Sequence, residues 1–165
     1  GFRTLNGSTT GHSNVVLGTR ALYDNTTGNY NTAFGAYTLA NHDVSERNTA
    51  VGYGAGNQLT AGERNTLIGN WAAYYNTSGT HNAVLGYMGI YNNTGGQYIT
   101  ALGYQAGYNS SGSQNVFLGY QAGYSETGDH KLYIENSDSA SPLIYGDFAA
   151  DSVAINCNLS LSGNR

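Results

Sequence analysis

Short apolar runs recur along the chain at a constant interval, each opened by asparagine and closed by glycine. They read NVVLG from Asn14, NTAFG from Asn31, NTAVG from Asn48, NTLIG from Asn65, NAVLG from Asn82 and NVFLG from Asn115. Ile99 and Lys131 take the asparagine position in two further cassettes. The closing glycines Gly18, Gly35, Gly52, Gly69, Gly86 and Gly103 lie 17 residues apart, with Gly1 one period before them and Gly119 16 residues after. A second glycine column follows ten positions into most coils, at Gly11, Gly28, Gly62, Gly79 and Gly96, with Ser45 as the one substitution. Gly112 and Gly128 fill that column one residue early, which accounts for two 16-residue coils. Such periodicity is an internal repeat of eight coils, and it decides the architecture.

Helical repeats need about 33 residues or more and leucine-rich repeats about 20 to 29, so a period of 17 fits neither. The cassettes combine Val, Thr, Ile and Phe between Asn and Gly boundaries, which is strand chemistry. The period predicts an all-β solenoid whose coils hold two short strands and two turns, stacked about 4.8 Å apart. The closing glycines are expected at corners, where φ > 0 or close backbone approach excludes a Cβ. The asparagine column is a third corner device, since Asn tolerates a left-handed backbone and its stacked amides can form a ladder.

Within the cassettes, alternation puts the first and third residues on one face and the middle residue on the other. The middle column is Val16, Ala33, Ala50, Leu67, Val84, Ala101, Phe117 and Tyr133, so both faces are apolar. A strand apolar on both faces is expected to be covered on both. One face fills the coil and the other needs a second layer, so the middle column is assigned to a self-association interface or the core, and the exposed remainder would mark an interface. The second segment of each coil is small at its centre and aromatic at its ends, as in Tyr104-Gln105-Ala106-Gly107-Tyr108. Tyr74, Tyr91, Tyr108 and Tyr124 share one column and should stack as a ladder. Trp71 shares its column with Arg3, Arg20, Tyr37, Gly54, Met88, Gln105 and Gln121, a variety that predicts an outward position at least half exposed. Trp71, Tyr37 and Tyr87 are therefore the candidates for ligand contact.

Composition narrows the function. Charged residues make up 10% of the chain, against roughly 25% in an ordinary domain. With 15 tyrosines and polarity carried by Asn, Thr, Ser and Gly, the chain is expected to be ordered. A net charge of −4 without a basic stripe argues against nucleic acid as a partner, and no apolar run approaches about 18 residues, so membrane insertion is not expected. Cys157 is the single cysteine and excludes an intrachain disulfide framework. The chain opens on Gly1 without a secretory leader and reads as a fragment or processed form.

Catalytic chemistry is not expected, and no cofactor or metal is assigned. His12, His42, His81 and His130 lie in separate coils; the two that share a column, His81 and His130, stand roughly 14 Å apart at the strand spacing. Glu46 and Glu63 lie beside Arg47 and Arg64 and read as exposed ion pairs. Asp24, Asp43, Glu126 and Asp129 fall in turns, where acids belong. No column supplies the paired carboxylates of a glycosidase. Asn25-Thr-Thr and Asn76-Thr-Ser fit a glycosylation signal but read as turn chemistry. An ice-binding array is disfavoured, because the Thr column at positions 32, 49, 66 and 100 is interrupted by Ala83 and assigned to the buried strand.

The cassettes resemble the head repeats of YadA-like trimeric autotransporter adhesins. They look closer still to the repeat shafts of bacteriophage tail fibres and related bacterial surface proteins, in which GYQAGY segments (103–108 and 119–124 here) lead into a stretch like residues 131–156. The resemblance implies a trimeric left-handed β-roll, with an endosialidase-type intramolecular chaperone expected outside residues 1–165. Cys157 departs from it, standing where related segments carry Gly. The 17-residue rhythm fades from Lys131, so residues 1–134 are assigned to the repeat shaft and 135–165 to a β neck or C-terminal cap. Strands are expected there at 132–135, 143–148, 152–156 and 159–161. The expected function is a non-enzymatic homotrimeric fibre segment outside the cell, on a virion, phage-like particle or bacterial surface, attaching to a cell-surface receptor such as a glycan. The alternative is a carbohydrate-binding module using Trp71 and the tyrosine columns.

Overall fold

The computed structural model describes residues 1–41 and 43–157. Each cassette forms one three-residue strand: β1 (Val15–Leu17), β2 (Thr32–Phe34), β3 (Thr49–Val51), β4 (Thr66–Ile68), β5 (Ala83–Leu85), β6 (Thr100–Leu102) and β7 (Val116–Leu118). They continue into β8 (Lys131–Ile134), all pairing in parallel, in sequence order and in register, so that Ala50 lies between Ala33 and Leu67. The chain is thus a β-solenoid with seven turns between its first and last parallel strands. Beyond β8 it reverses: β9 (Ile144–Asp147) pairs antiparallel with β8, and β10 (Ser152–Ile155) with β9, extending the same ten-stranded sheet. The expected strand at 159–161 lies outside the described residues.

The second strand expected in each coil is not one. The segment after each closing glycine is a tight turn in which two alternate residues take left-handed φ, as at Gln105 (φ 53) and Gly107 (φ 63). Its N–H groups nevertheless bond along the rod: Gln105 N donates back to Tyr87 O at 2.9 Å, and Ile90 N forward to Ala106 O at 2.9 Å. The backbone is therefore laddered as a strand would be, while its local coil is too tight for extended geometry. Among the left-handed residues are many ordinary side chains, including Leu22 and Leu39 in one column and Arg20, Tyr37 and Trp71 in the other. Each such residue costs on the order of 1–2 kcal/mol, and coil-to-coil hydrogen bonds repeated at every level offset it.

The closing glycines are a backbone requirement. Gly52 has φ 130, and a Cβ there would sit 2.6 Å from the carbonyl of Gly69 in the next coil. Gly18, Gly35, Gly69, Gly86, Gly103 and Gly119 repeat the left-handed φ and the stacking. The second column is demanded by close approach alone, since a Cβ on Gly62 or Gly79 would collide with the carbonyl oxygen of the glycine one coil on.

Of its two expected roles, the asparagine column fills the ladder and not the left-handed corner. The left-handed residue at that corner is the one before it, such as Arg47 (φ 58), Arg64 (φ 57) or His81 (φ 59). Asparagine supplies the ladder instead. Oδ1 of Asn48 accepts the backbone N–H of Asn65 at 2.9 Å, and Asn65 repeats this for Asn82 at 2.9 Å. Each Nδ2 donates to the second-column carbonyl of the following coil, Asn48 to Gly62 at 2.9 Å and Asn65 to Gly79 at 2.9 Å. A buried corner amide and carbonyl are thereby satisfied at the levels that carry asparagine.

The core is the inside of the coil. Ala33, Ala50, Leu67, Val84, Ala101 and Phe117 are buried there with Leu22, Leu39, Ala55, Ala73 and Ile90 from the turn segments, and Val16 and Tyr133 pack against them. The middle column is therefore core and not the self-association face; the first and third strand residues point outward. At the far end Lys131 pairs with Asp147 at 2.6 Å, tying β8 to β9.

Gly52→Ala should lower stability on the order of 3 kcal/mol, from the left-handed φ and the clash with Gly69. Thr100→Val, on the outward strand column that already holds Val15 and Val116, should be near neutral. Thermal melts of the two variants check this; Gln105→Val would be a poor control because Gln105 itself has φ 53.

Candidate functional site

Two surfaces stand out. The first is the outward side of the sheet. Val15, Leu17, Phe34, Leu85, Leu102 and Leu118 point away from the core and are between 39% and 65% exposed, forming an apolar strip along the rod. Its central part, between Thr66, Ile68, Leu85, Thr100 and Leu102, is a shallow depression of about 300 Å³. Threonines 32, 49, 66 and 100 share this side, so the column assigned above to a buried strand is outward. It remains interrupted by Val15, Ala83 and Val116.

The second surface is an aromatic wall on the turn segments. Tyr74, Tyr91, Tyr108 and Tyr124 stack in succession at 5.6, 5.2 and 4.9 Å between centroids, with interplanar angles of 20°, 9° and 3°. Tyr87, Tyr104 and Tyr120 make a second ladder at 5.2 and 5.3 Å, both at 8°. Nearly parallel rings at these separations are offset stacks. Each ring covers the faces of its neighbours, so the ladders offer edges and hydroxyls to solvent.

Trp71 extends the second ladder. The ladder's own position in its coil is Asn70, whose Oδ1 accepts the N–H of Tyr53 at 2.9 Å. Trp71 fills the ring vacancy, edge-on to Tyr53 at 5.9 Å and to Tyr87 at 5.5 Å, and Tyr37 meets Tyr53 at 5.6 Å. The three candidates Trp71, Tyr37 and Tyr87 thus belong to one continuous aromatic row. Trp71 is only partly exposed, contrary to expectation. What its column shares is left-handed backbone, from Arg3 (φ 54) to Gln121 (φ 53), and not an open position.

Burial pushes the Tyr91 phenol up to about 12, helped by Tyr75 beside it, and burial likewise raises Tyr108. Tyr133 is raised by burial and by its hydrogen bond to Glu126 at 2.6 Å. Asp147 is lowered chiefly by the hydrogen bond from Lys131.

The other candidates resolve as follows. Arg47 pairs with Glu46 at 2.8 Å and Arg64 with Glu63 at 3.1 Å, all on the surface. His81 stacks on Tyr98 at 4.9 Å, and His12 meets Tyr30 edge-on at 5.4 Å; His42 lies outside the described residues. Among the described residues no three His, Cys, Asp or Glu side chains gather as a metal site would require. No helix there is long and apolar enough to cross a membrane. Asn25 and Asn76 are buried, with Asn76 Oδ1 accepting the N–H of Gly79 at 2.7 Å, so neither is an accessible glycosylation acceptor in the folded chain. Cys157 is exposed.

Comparison with family models, with curated proteins and with solved structures finds no match to this chain.

The raised phenols have a testable sign. A phenol whose folded pKa lies above the unfolded value near 10 stabilises the fold fully below that value. The contribution is lost as pH rises through the folded pKa, about 12 for Tyr91. Absorbance titration should show a late group ionising near 12 that coincides with loss of the fold by circular dichroism. Absence of that late group, with the fold intact throughout, would contradict the packing of the half-buried ladder.

Proposed function

We propose that the chain is a non-enzymatic segment of a homotrimeric fibre, from a phage or phage-like tail or a bacterial surface adhesin, serving attachment to a cell surface. The observation that carries this reading is the exposed apolar strip on the outward side of β1 to β7. In a chain with 10% charged residues, a continuous row of Val, Leu, Ile and Phe in water is an interface in need of a partner. The third strand residue is apolar at every coil from Leu17 to Leu118, so an identical rod laid alongside can match the strip over its whole length. A closed three-fold arrangement covers each strip with the other two, and no open filament results. The likeness of the cassettes to adhesin heads and tail-fibre shafts supports the same arrangement, and with it a location outside the cell. A second reading, a carbohydrate-binding module, draws its support from the aromatic wall, which is separate from the strip.

Sedimentation at micromolar concentration should give the mass of three chains. Leu85→Asp with Leu102→Asp, both outward, should reduce it to one chain while retaining β circular dichroism; Leu67→Asp should instead unfold the coil, because Leu67 is core. A well-folded wild-type monomer would overturn the trimer, and failure of the labelled trimer to adsorb to any bacterial cell would overturn the attachment role.

A further inference from the structure

The tyrosine ladder of Tyr74, Tyr91, Tyr108 and Tyr124 continues towards the N-terminus with two positions missing. Its column reads Tyr23, Ala40, Asn57, Tyr74, so two successive coils lack the ring that fills the wall elsewhere. At the ~4.8 Å strand spacing the two flanking tyrosines stand about 14 Å apart. The gap is a cavity of about 450 Å³ bounded by Tyr23, Tyr37 and Tyr74 and floored by Ala40 and Asn57. That volume lies within the range of small-molecule sites.

Its polar side chains are held in place. Asn57 is buried and held by three bonds: its Nδ2 donates to Tyr37 O at 2.9 Å, and its Oδ1 accepts from Asn41 Nδ2 at 3.0 Å and Gln58 Nε2 at 2.8 Å. Those bonds fix the amides of Asn41 and Gln58 and leave a carbonyl oxygen of each for a ligand. The Arg20 guanidinium lies over Tyr23 at 5.8 Å and Tyr37 at 5.6 Å, and among the described residues no carboxylate pairs with it. Asp24 also lines the cavity and stands on the opposite side of the charge balance.

We infer that this break in the ladder is a binding site for a neutral pyranose unit of a surface glycan. A pyranose has an apolar C–H face that lies on aromatic rings and a rim of hydroxyls that both donate and accept. The cavity answers the first with the ring of Tyr74 at its edge and the second with the guanidinium that lies over Tyr23 and Tyr37, a carboxylate and two amide oxygens. One positive and one negative side chain leave no net charge, which favours an uncharged sugar over a phosphate or a sialic-type acid. Intact ladders elsewhere on the wall cannot do this, since their ring faces are covered by one another. The cavity shares no residue with the apolar strip, so it stays open when the strip is covered. The inference rests on the attachment reading only for its biological sense.

The test is saturation-transfer NMR on the full chain with methyl glycosides of glucose, galactose, mannose and N-acetylglucosamine, and with cellobiose, lactose and chitobiose. At least one should give saturable transfer. Ala40→Tyr, which puts back the ring that other coils carry, should weaken binding at least tenfold while leaving or raising the melting temperature. Asp24→Ala, at an exposed turn position, should weaken it similarly with the fold unchanged. Absence of saturable transfer from every sugar overturns the site, as does binding that survives Ala40→Tyr or that is lost instead on Trp71→Ala. Trimer mass is read separately: a monomer that binds sugar overturns the fibre and keeps the site, and a trimer that binds none does the reverse.

Discussion

Every feature of this rod depends on one coil lying directly on the next at strand spacing. A three-residue strand has almost no independent stability, and a turn with alternate left-handed residues has less. Stacked in register, each coil satisfies the backbone of the next on all sides: strands by parallel pairing, turns by bonds such as Gln105 N to Tyr87 O, and corners by the Asn amides. Glycine recurs where carbonyls of adjacent coils come closest, because a Cβ there would collide with the next coil; Ser45 is the one substitution in the second column. The energetics are those of a one-dimensional array, in which each coil contributes mainly through its neighbours.

The architecture was legible because periodicity and glycine spacing are global signals that local ambiguity does not blur. The sidedness of the strand was not. Thr66-Leu67-Ile68 is apolar on both alternation sets, so pattern alone does not say which face looks inward; only the turn segments, which place Leu39, Ala55 and Ala73 opposite Leu67, decide it. The turn backbone was hidden for a different reason. Arg, Trp, Leu and Tyr are poor left-handed residues in isolation, and the coil imposes that conformation from outside. Variety in the Trp71 column was consequently read as exposure, when it reflects a backbone constraint indifferent to side-chain chemistry. The tyrosine ladder was readable from spacing, and so in principle was its interruption at Ala40 and Asn57; what sequence did not reveal was that Asn57 organises Asn41 and Gln58 around the vacancy.

The two surfaces divide the work of the coil. On the sheet side, repetition is the asset: an apolar residue at the third strand position of every level makes a long strip suited to a long partner. On the turn side, departures from repetition carry the information. Asn70 makes room for Trp71, and Ala40 with Asn57 opens a cavity in an otherwise sealed wall. In a repeat of this kind the irregular positions set the local surface chemistry, while the regular positions are held by packing.

The two 16-residue coils show where such a rod can vary. Each omits one residue ahead of the second glycine column, at Gly112 and Gly128, yet the asparagine position and the strand resume in register at Asn115 and Lys131. The change is absorbed within one corner and never reaches the axial columns. That corner behaves as an expansion joint. Segments could be lengthened, shortened or decorated there, and whole coils added or removed between equivalent joints, without redesigning any contact along the axis. The length of the rod would then be adjustable in increments of a single coil, about 4.8 Å at a time.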